Sequence, residues 1–159
     1  MRESARRKIA SLLLLTFMLV SAATPAQKVS GTQKASSEAQ NPLAGAWNLV
    51  SLEEPGADGQ MRKADCVGQF VFTTDGKASV QVMYRGAQTG SDYAQGGYEA
   101  SYGSYHVDDS STFTFHIEGA LVRTLIGKDL KRAYVISGKR LTVTSTNPNE
   151  HWRVVWERY

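Results

Sequence analysis

Gly68-Gln69-Phe70-Val71-Phe72-Thr73-Thr74-Asp75-Gly76-Lys77-Ala78-Ser79-Val80-Gln81 is the stretch that decides the fold class. Phe70 and Phe72 point one way along an extended chain, with Gln69 and Thr73 pointing the other. That is the period-two pattern of a strand with one buried face. Asp75-Gly76 then separates this run from a second run beginning at Ala78. An Asp-Gly pair between two alternating runs predicts a hairpin, because the tight two-residue turn needs positive φ at both central positions.

The same grammar repeats outward in both directions. Segments rich in Val, Phe, Tyr, Trp, Ile and Thr occupy residues 46–53, 67–74, 78–85, 99–108, 112–119, 131–137, 140–146 and 152–158. Turn chemistry stands between them: Pro55-Gly56-Ala57-Asp58-Gly59, Asp108-Asp109-Ser110, Ser137-Gly138 and Asn147-Pro148-Asn149. Phe113, Phe115 and Ile117 oppose Thr112, Thr114 and His116, and Leu141 and Val143 oppose Thr142 and Thr144. In the first segment both faces are partly apolar, so the pattern does not say which faces inward. Helical periodicity is sustained nowhere over three turns; residues 86–97 and 121–130 are the places for a loop or a short helix. Eight strands on short turns predict an all-β, eight-stranded antiparallel up-and-down barrel, since closure removes exposed edges. A sandwich is the second choice. An eight-stranded barrel has room inside for its own side chains or for one small ligand.

The first 26 residues read differently. Arg2, Arg6, Arg7 and Lys8 precede an apolar run over residues 9–20, and small residues follow at Ser21-Ala22-Ala23-Thr24-Pro25-Ala26. This is the layout of a secretory signal peptide, and the run falls short of the ~20 residues that span a bilayer. The sequence therefore predicts export to the periplasm or beyond, with no stable membrane span once residues 1–26 are removed. Residues 27–42 hold almost no large apolar side chain, which predicts a disordered tether ahead of a single domain over 43–159. The leader also explains the net charge of +3. Four of the 18 basic and one of the 15 acidic side chains lie within it, leaving 14 of each. A neutral remainder lacks the basic face that nucleic-acid binding requires. One cysteine, Cys66, supplies no disulfide framework, so the fold must rest on its core.

Catalytic signatures are missing. His106, His116 and His151 do not share the spacing of a zinc site, and neither a nucleophile elbow nor a phosphate loop occurs. The sequence predicts no catalytic set, metal or cofactor. Glu53 and Glu54, as strand neighbours, point to opposite faces. A polar and aromatic group on successive strands is the candidate ligand-binding set: Gln81, Met83, Tyr102, Tyr105, His116, Glu118, Arg132 and Tyr134. Binding pockets are mostly apolar with a few polar groups that orient the ligand. An inward Arg132 needs a carboxylate partner, for which Glu118 is the candidate. Against this stands the plainer reading that tyrosines line any barrel strand and that an outward Arg–Glu pair is a solvated ladder.

Leu43-Ala44-Gly45-Ala46-Trp47-Asn48-Leu49-Val50-Ser51, the hairpin quoted above, Tyr102-Gly103-Ser104-Tyr105, His116-Ile117-Glu118-Gly119 and the terminal Val155-Trp156-Glu157-Arg158 resemble, in order, the bacterial lipocalin-like domain family. The resemblance implies an exported, single-domain, calycin-type barrel that holds a small hydrophobic molecule as its partner. It also implies a structural motif of Gly45, Trp47 and Arg158, with the arginine packed across the indole at the closed end and Arg153 as the other candidate for that place. Two other functions stay open: a barrel isomerase, cyclase or hydratase acting on an apolar substrate, and a ligand-free envelope module with an interior plugged by residues such as Phe70, Phe72, Met83, Phe113, Phe115 and Trp152. N-terminal sequencing of the protein recovered from outside the cytoplasm is expected to begin at Thr24 or Gln27. An intact Met1 on that fraction overturns the signal-peptide reading.

Overall fold

The structure, a computed structural model, describes residues 41–86 and 91–159. The expected signal peptide and residues 27–40 of the expected tether lie outside the described residues. Nine strands run in chain order among the described residues: β1 (Gly45–Pro55), β2 (Met61–Lys63), β3 (Cys66–Phe72), β4 (Lys77–Tyr84), β5 (Tyr98–Val107), β6 (Thr112–Ala120), β7 (Asp129–Ser137), β8 (Arg140–Ser145) and β9 (Arg153–Arg158). From β3 to β9 each strand pairs antiparallel with the next; β1 pairs with both β3 and β9. The sheet therefore closes into the expected eight-stranded up-and-down barrel. The short β2, fully exposed, is an addition to the expected strand list and pairs only with the overhanging Glu53–Pro55 end of β1. Residues 121–130 hold a single 3-10 turn, Arg123–Leu125, which buries Leu125.

The deciding hairpin forms, but by a different turn. Gly76 donates its backbone N–H to Thr73 O at 3.3 Å and Thr73 N–H bonds Lys77 O at 2.8 Å, with Gly76 at φ 84°. The central pair is thus Thr74-Asp75, and Gly76 takes the left-handed position that follows it, the three-residue arrangement with a bulge rather than the two-residue loop.

A second irregularity settles the ambiguous first strand. Between Leu49 and Ser51 the pairing of β1 with β9 slips by one residue. Trp47 and Leu49 lie opposite Arg158 and Trp156, whereas beyond the slip Leu52 lies opposite Val154. An extra residue flips the faces of everything after it. The inward set changes from odd to even positions, which is why both faces of this strand read as apolar. It also carries Glu54 to the barrel rim.

One end of the barrel is packed solid. Trp47 is fully buried and donates its indole N–H to Leu43 O at 2.8 Å. The Arg158 guanidinium lies 4.2 Å from that indole's centroid and donates to Ala44 O at 2.6 Å and Pro42 O at 2.9 Å. At Gly45, φ is +136° and the space a side chain would take is filled by Arg158, so glycine is required. Asn41 donates to the Tyr105 hydroxyl at 2.8 Å, and that hydroxyl donates to Thr73 O at 2.9 Å. Phe72 fills the space behind them, 4.9 Å from the Tyr105 ring and 5.6 Å from the Phe113 ring. The motif of Gly45, Trp47 and Arg158 is thus a seal. Replacing Arg158 by Ala removes one cation–π contact and two charge-assisted hydrogen bonds, so urea unfolding followed by tryptophan fluorescence is expected to show a loss of about 2–4 kcal/mol. An unchanged midpoint would refute the seal.

Candidate functional site

At the opposite end the barrel is hollow. A cavity of about 230 Å³ opens between the β1, β4–β5, β6–β7 and β8–β9 ends, with Phe70, Val80, Val82, Phe115, Ile117 and Trp156 among its apolar walls. Alternation within the strands places these residues: Ala78, Val80, Val82 and Tyr84 form the buried face of β4, and Phe113, Phe115 and Ile117 that of β6.

The rim is polar and is built around Arg132, which is 8% exposed. Its guanidinium sits 5.1 Å from the Tyr93 ring centroid and 4.9 Å from that of Trp152. Nη2 donates to the Tyr93 hydroxyl at 2.9 Å, and Nη1 lies 3.6 Å from Glu150 Oε2. The same carboxylate oxygen accepts from the Tyr93 hydroxyl at 2.7 Å and from Trp152 Nε1 at 3.1 Å. Burial works against the charge of Glu150, yet hydrogen bonds from Tyr93, Ser145 and Trp152 together with Arg132 outweigh it and hold the carboxyl below its ordinary range. Burial, opposed by Arg132, pushes the Tyr93 phenol up to about 12, so it stays a neutral donor. A buried cation needs such compensation, and Glu150 supplies it.

Two further glutamates face this region. Glu99 shares the inward register of β5 with Ser101 and Tyr105 and lines the cavity. Burial pushes its pKa up to about 7; Arg132 pulls it down and Glu54 pushes it further up. No hydrogen bond contributes to that balance. Glu54 is also raised by burial, which a 3.3 Å hydrogen bond from the Tyr84 hydroxyl opposes. Cys66 is driven up to about 11, first by burial and then by Glu54, Asp65 and Glu99. It is a protonated thiol, unsuited to nucleophilic attack.

The eight residues singled out from the sequence divide between the two sides of the wall. Arg132 lines the cavity. Tyr105 and Tyr134 are inside but support the packed end, Tyr134 donating to Asp109 O at 3.4 Å. Gln81, Met83, Tyr102, His116 and Glu118 lie on the outer face, a correction to the expectation that they line the interior. Gln81 accepts from Gln69 at 3.1 Å, His116 pairs with Asp129 at 2.7 Å, and Met83 and Tyr102 are 54% and 59% exposed. Each is one position off its strand's buried register. Glu118 pairs with Lys77 at 2.8 Å, so the partner of Arg132 is Glu150 instead. Met83 therefore cannot plug the barrel, and Phe72 and Phe113 fill its sealed half without closing the cavity. Sequence reasoning missed Glu99, Tyr93 and Glu150; it weighed Glu54 only as a strand neighbour of Glu53 and Trp152 only as an interior plug. Only Glu99 left a signal, a carboxylate in step with buried Tyr105.

A closed antiparallel barrel, sealed at one end and hollow at the other, is the class of protein that these features define. The chain matches the lipocalin-like domain family over residues 44–159 and belongs to it. It is similar in structure to a lipocalin-like protein from Bacteroides uniformis ATCC 8492, at 17% identity and a TM-score of 0.46, covering 74% of this chain and 98% of that one. An uncharacterized protein from Bacteroides eggerthii DSM 20697 is similar at 14% identity and a TM-score of 0.45, covering 74% and 99%. Among curated proteins, none matches the chain.

The Glu99 pKa makes a pH-dependent prediction. Below the unfolded value of 4.5 both states are protonated and the residue is neutral in its effect. As pH rises toward 7 the unfolded chain ionises first, so the folded state loses stability over that window, and the loss is complete above about 7. Glu99→Gln is expected to unfold at the same urea concentration as the parent near pH 4 and to be more stable above pH 7, by roughly 3 kcal/mol at most. Equal stabilities at high pH would show the carboxylate to be well solvated.

Proposed function

We propose that this protein binds and carries a small, largely apolar molecule in its barrel interior, outside the cytoplasm. The observation that carries the reading is the asymmetry of the interior: aromatic packing fills the sealed half, while the half behind the polar rim keeps a cavity of about 230 Å³ with mainly apolar walls. Apolar surface left facing a hollow is stabilised by a ligand that removes it from water. At this volume, the small end of ligand pockets, the guest is compact. The polar rim groups fix its orientation. Arg132, packed over the Tyr93 and Trp152 rings and paired with Glu150, gives the opening a defined edge. The extracytoplasmic half of the reading is supported by the basic, apolar and small-residue layout of residues 1–26.

Native mass spectrometry of the protein recovered from the envelope or medium of its own cells tests this. The expected spectrum shows one equivalent of a small molecule, released on denaturation and recovered in the solvent extract. A spectrum of the bare chain alone overturns the carrier reading in favour of a module that acts through its surface.

A further inference from the structure

The charges around the cavity are unbalanced. Glu54, Glu99 and Glu150 all line it, with Asp92 beside them, whereas Arg132 is the one Lys or Arg side chain among the described lining residues. Arg132 is already committed: Glu150 neutralises it, Tyr93 and Ser145 accept its hydrogen bonds, and it packs over the Tyr93 and Trp152 rings. An incoming anion would have to displace Glu150 from a contact that donors on Tyr93, Ser145, Asn147 and Trp152 hold in place. Glu99 is the opposite case. It has no hydrogen-bond or ion-pair partner among the described residues and lines a largely apolar cavity, where burial outweighs the pull of Arg132 and the charge of Glu54 adds to the cost of ionisation. A buried carboxylate without a donor is costly, and a donor brought by a guest would remove that cost.

We propose that the pocket selects amphipathic amines: the ammonium group of the guest pairs with Glu99, with Glu54 as the second carboxylate, and its apolar body lies against Phe70, Phe115 and Trp156. This rests on the carrier reading above and names the chemical class of its guest. A cation placed between two carboxylates relieves their repulsion as well as satisfying Glu99, and a charge-assisted hydrogen bond out of bulk water is among the stronger polar contacts available. A carboxylate guest in the same position would meet like charge. Glu99 is ionised at the mildly alkaline pH of the test below, since its pKa lies at about 7.

Isothermal titration calorimetry of the whole chain at about pH 8 with three probes of one shape, 1-naphthylmethylamine, 1-naphthylmethanol and 1-naphthoate, separates the possibilities. The amine is expected to bind about tenfold more tightly than the alcohol, the scale of one charge-assisted hydrogen bond, and the carboxylate more weakly than either. Glu99→Gln is expected to erase the advantage of the amine and leave the alcohol's affinity within about twofold, while Glu118→Gln on the outer wall changes neither. Tightest binding by 1-naphthoate, or an amine preference that survives in Glu99→Gln, overturns the amine assignment and leaves the carrier reading standing. Failure of all three probes, the uncharged alcohol included, removes the ligand pocket itself and the inference with it.

Discussion

Closure of the sheet between its first and last strands is the constraint on which the rest of this molecule depends. β1 must find β9 from the far end of the domain, and that pairing is bought with a large loss of chain entropy. What holds it is local to the junction. Trp47 and Arg158 lie opposite each other in register, and the guanidinium both stacks on the indole and ties the backbone at Pro42 and Ala44 to the final strand. The hydrogen bonds of Asn41 and Leu43 draw the entering chain across the same end. Without that junction the sheet has two open edges and the interior has no inside.

Phe72, Phe113, Trp47 and Leu43 crowd the sealed half and are among the most fully buried side chains. Midway along the wall the inward positions are Val80 and Val82 on β4 and Val143 on β8, whose short side chains line the cavity, and Tyr84 follows them at the rim. The bulge at Val50 matters here. It lets one strand present Trp47 to the seal and Glu54 to the rim on the same inner face, which a regular strand cannot do with that spacing.

At the rim, electrostatics replaces packing as the organising force. Arg132 is tolerated inside because a carboxylate and two aromatic rings, all contributed by loops, compensate it. Glu150 in turn is held ionised by the donors that surround it. Glu99 receives no such support and is left with a raised pKa. Ionisable groups perturbed by burial and set in a cavity are the usual marks of a functional site. The contrast between a satisfied arginine and an unsatisfied glutamate gives this cavity its chemical polarity.

Much of this was readable in the chain itself. Period-two alternation at Phe70 and Phe72, at Phe113, Phe115 and Ile117, and at Leu141 and Val143 fixes strands locally, and the Gly-x-Trp opening with a terminal arginine marks the two strands that must meet. Those features are properties of neighbouring residues, so one dimension suffices to see them. Which face of a strand looks inward is another matter where both faces carry large side chains. Met83, Tyr102 and His116 look as suited to a pocket as Val82, Ser101 and Phe115, and only the packed sheet, through its register and its bulges, separates them. The Arg132 cage lies further still from the sequence. Tyr93, Glu150 and Trp152 come from loops and strand ends without periodicity, and they meet because barrel closure brings the β4–β5 and β8–β9 connections over β7. Alternation along the chain encodes strands, but proximity across a mouth exists only after the strands have curled into a ring.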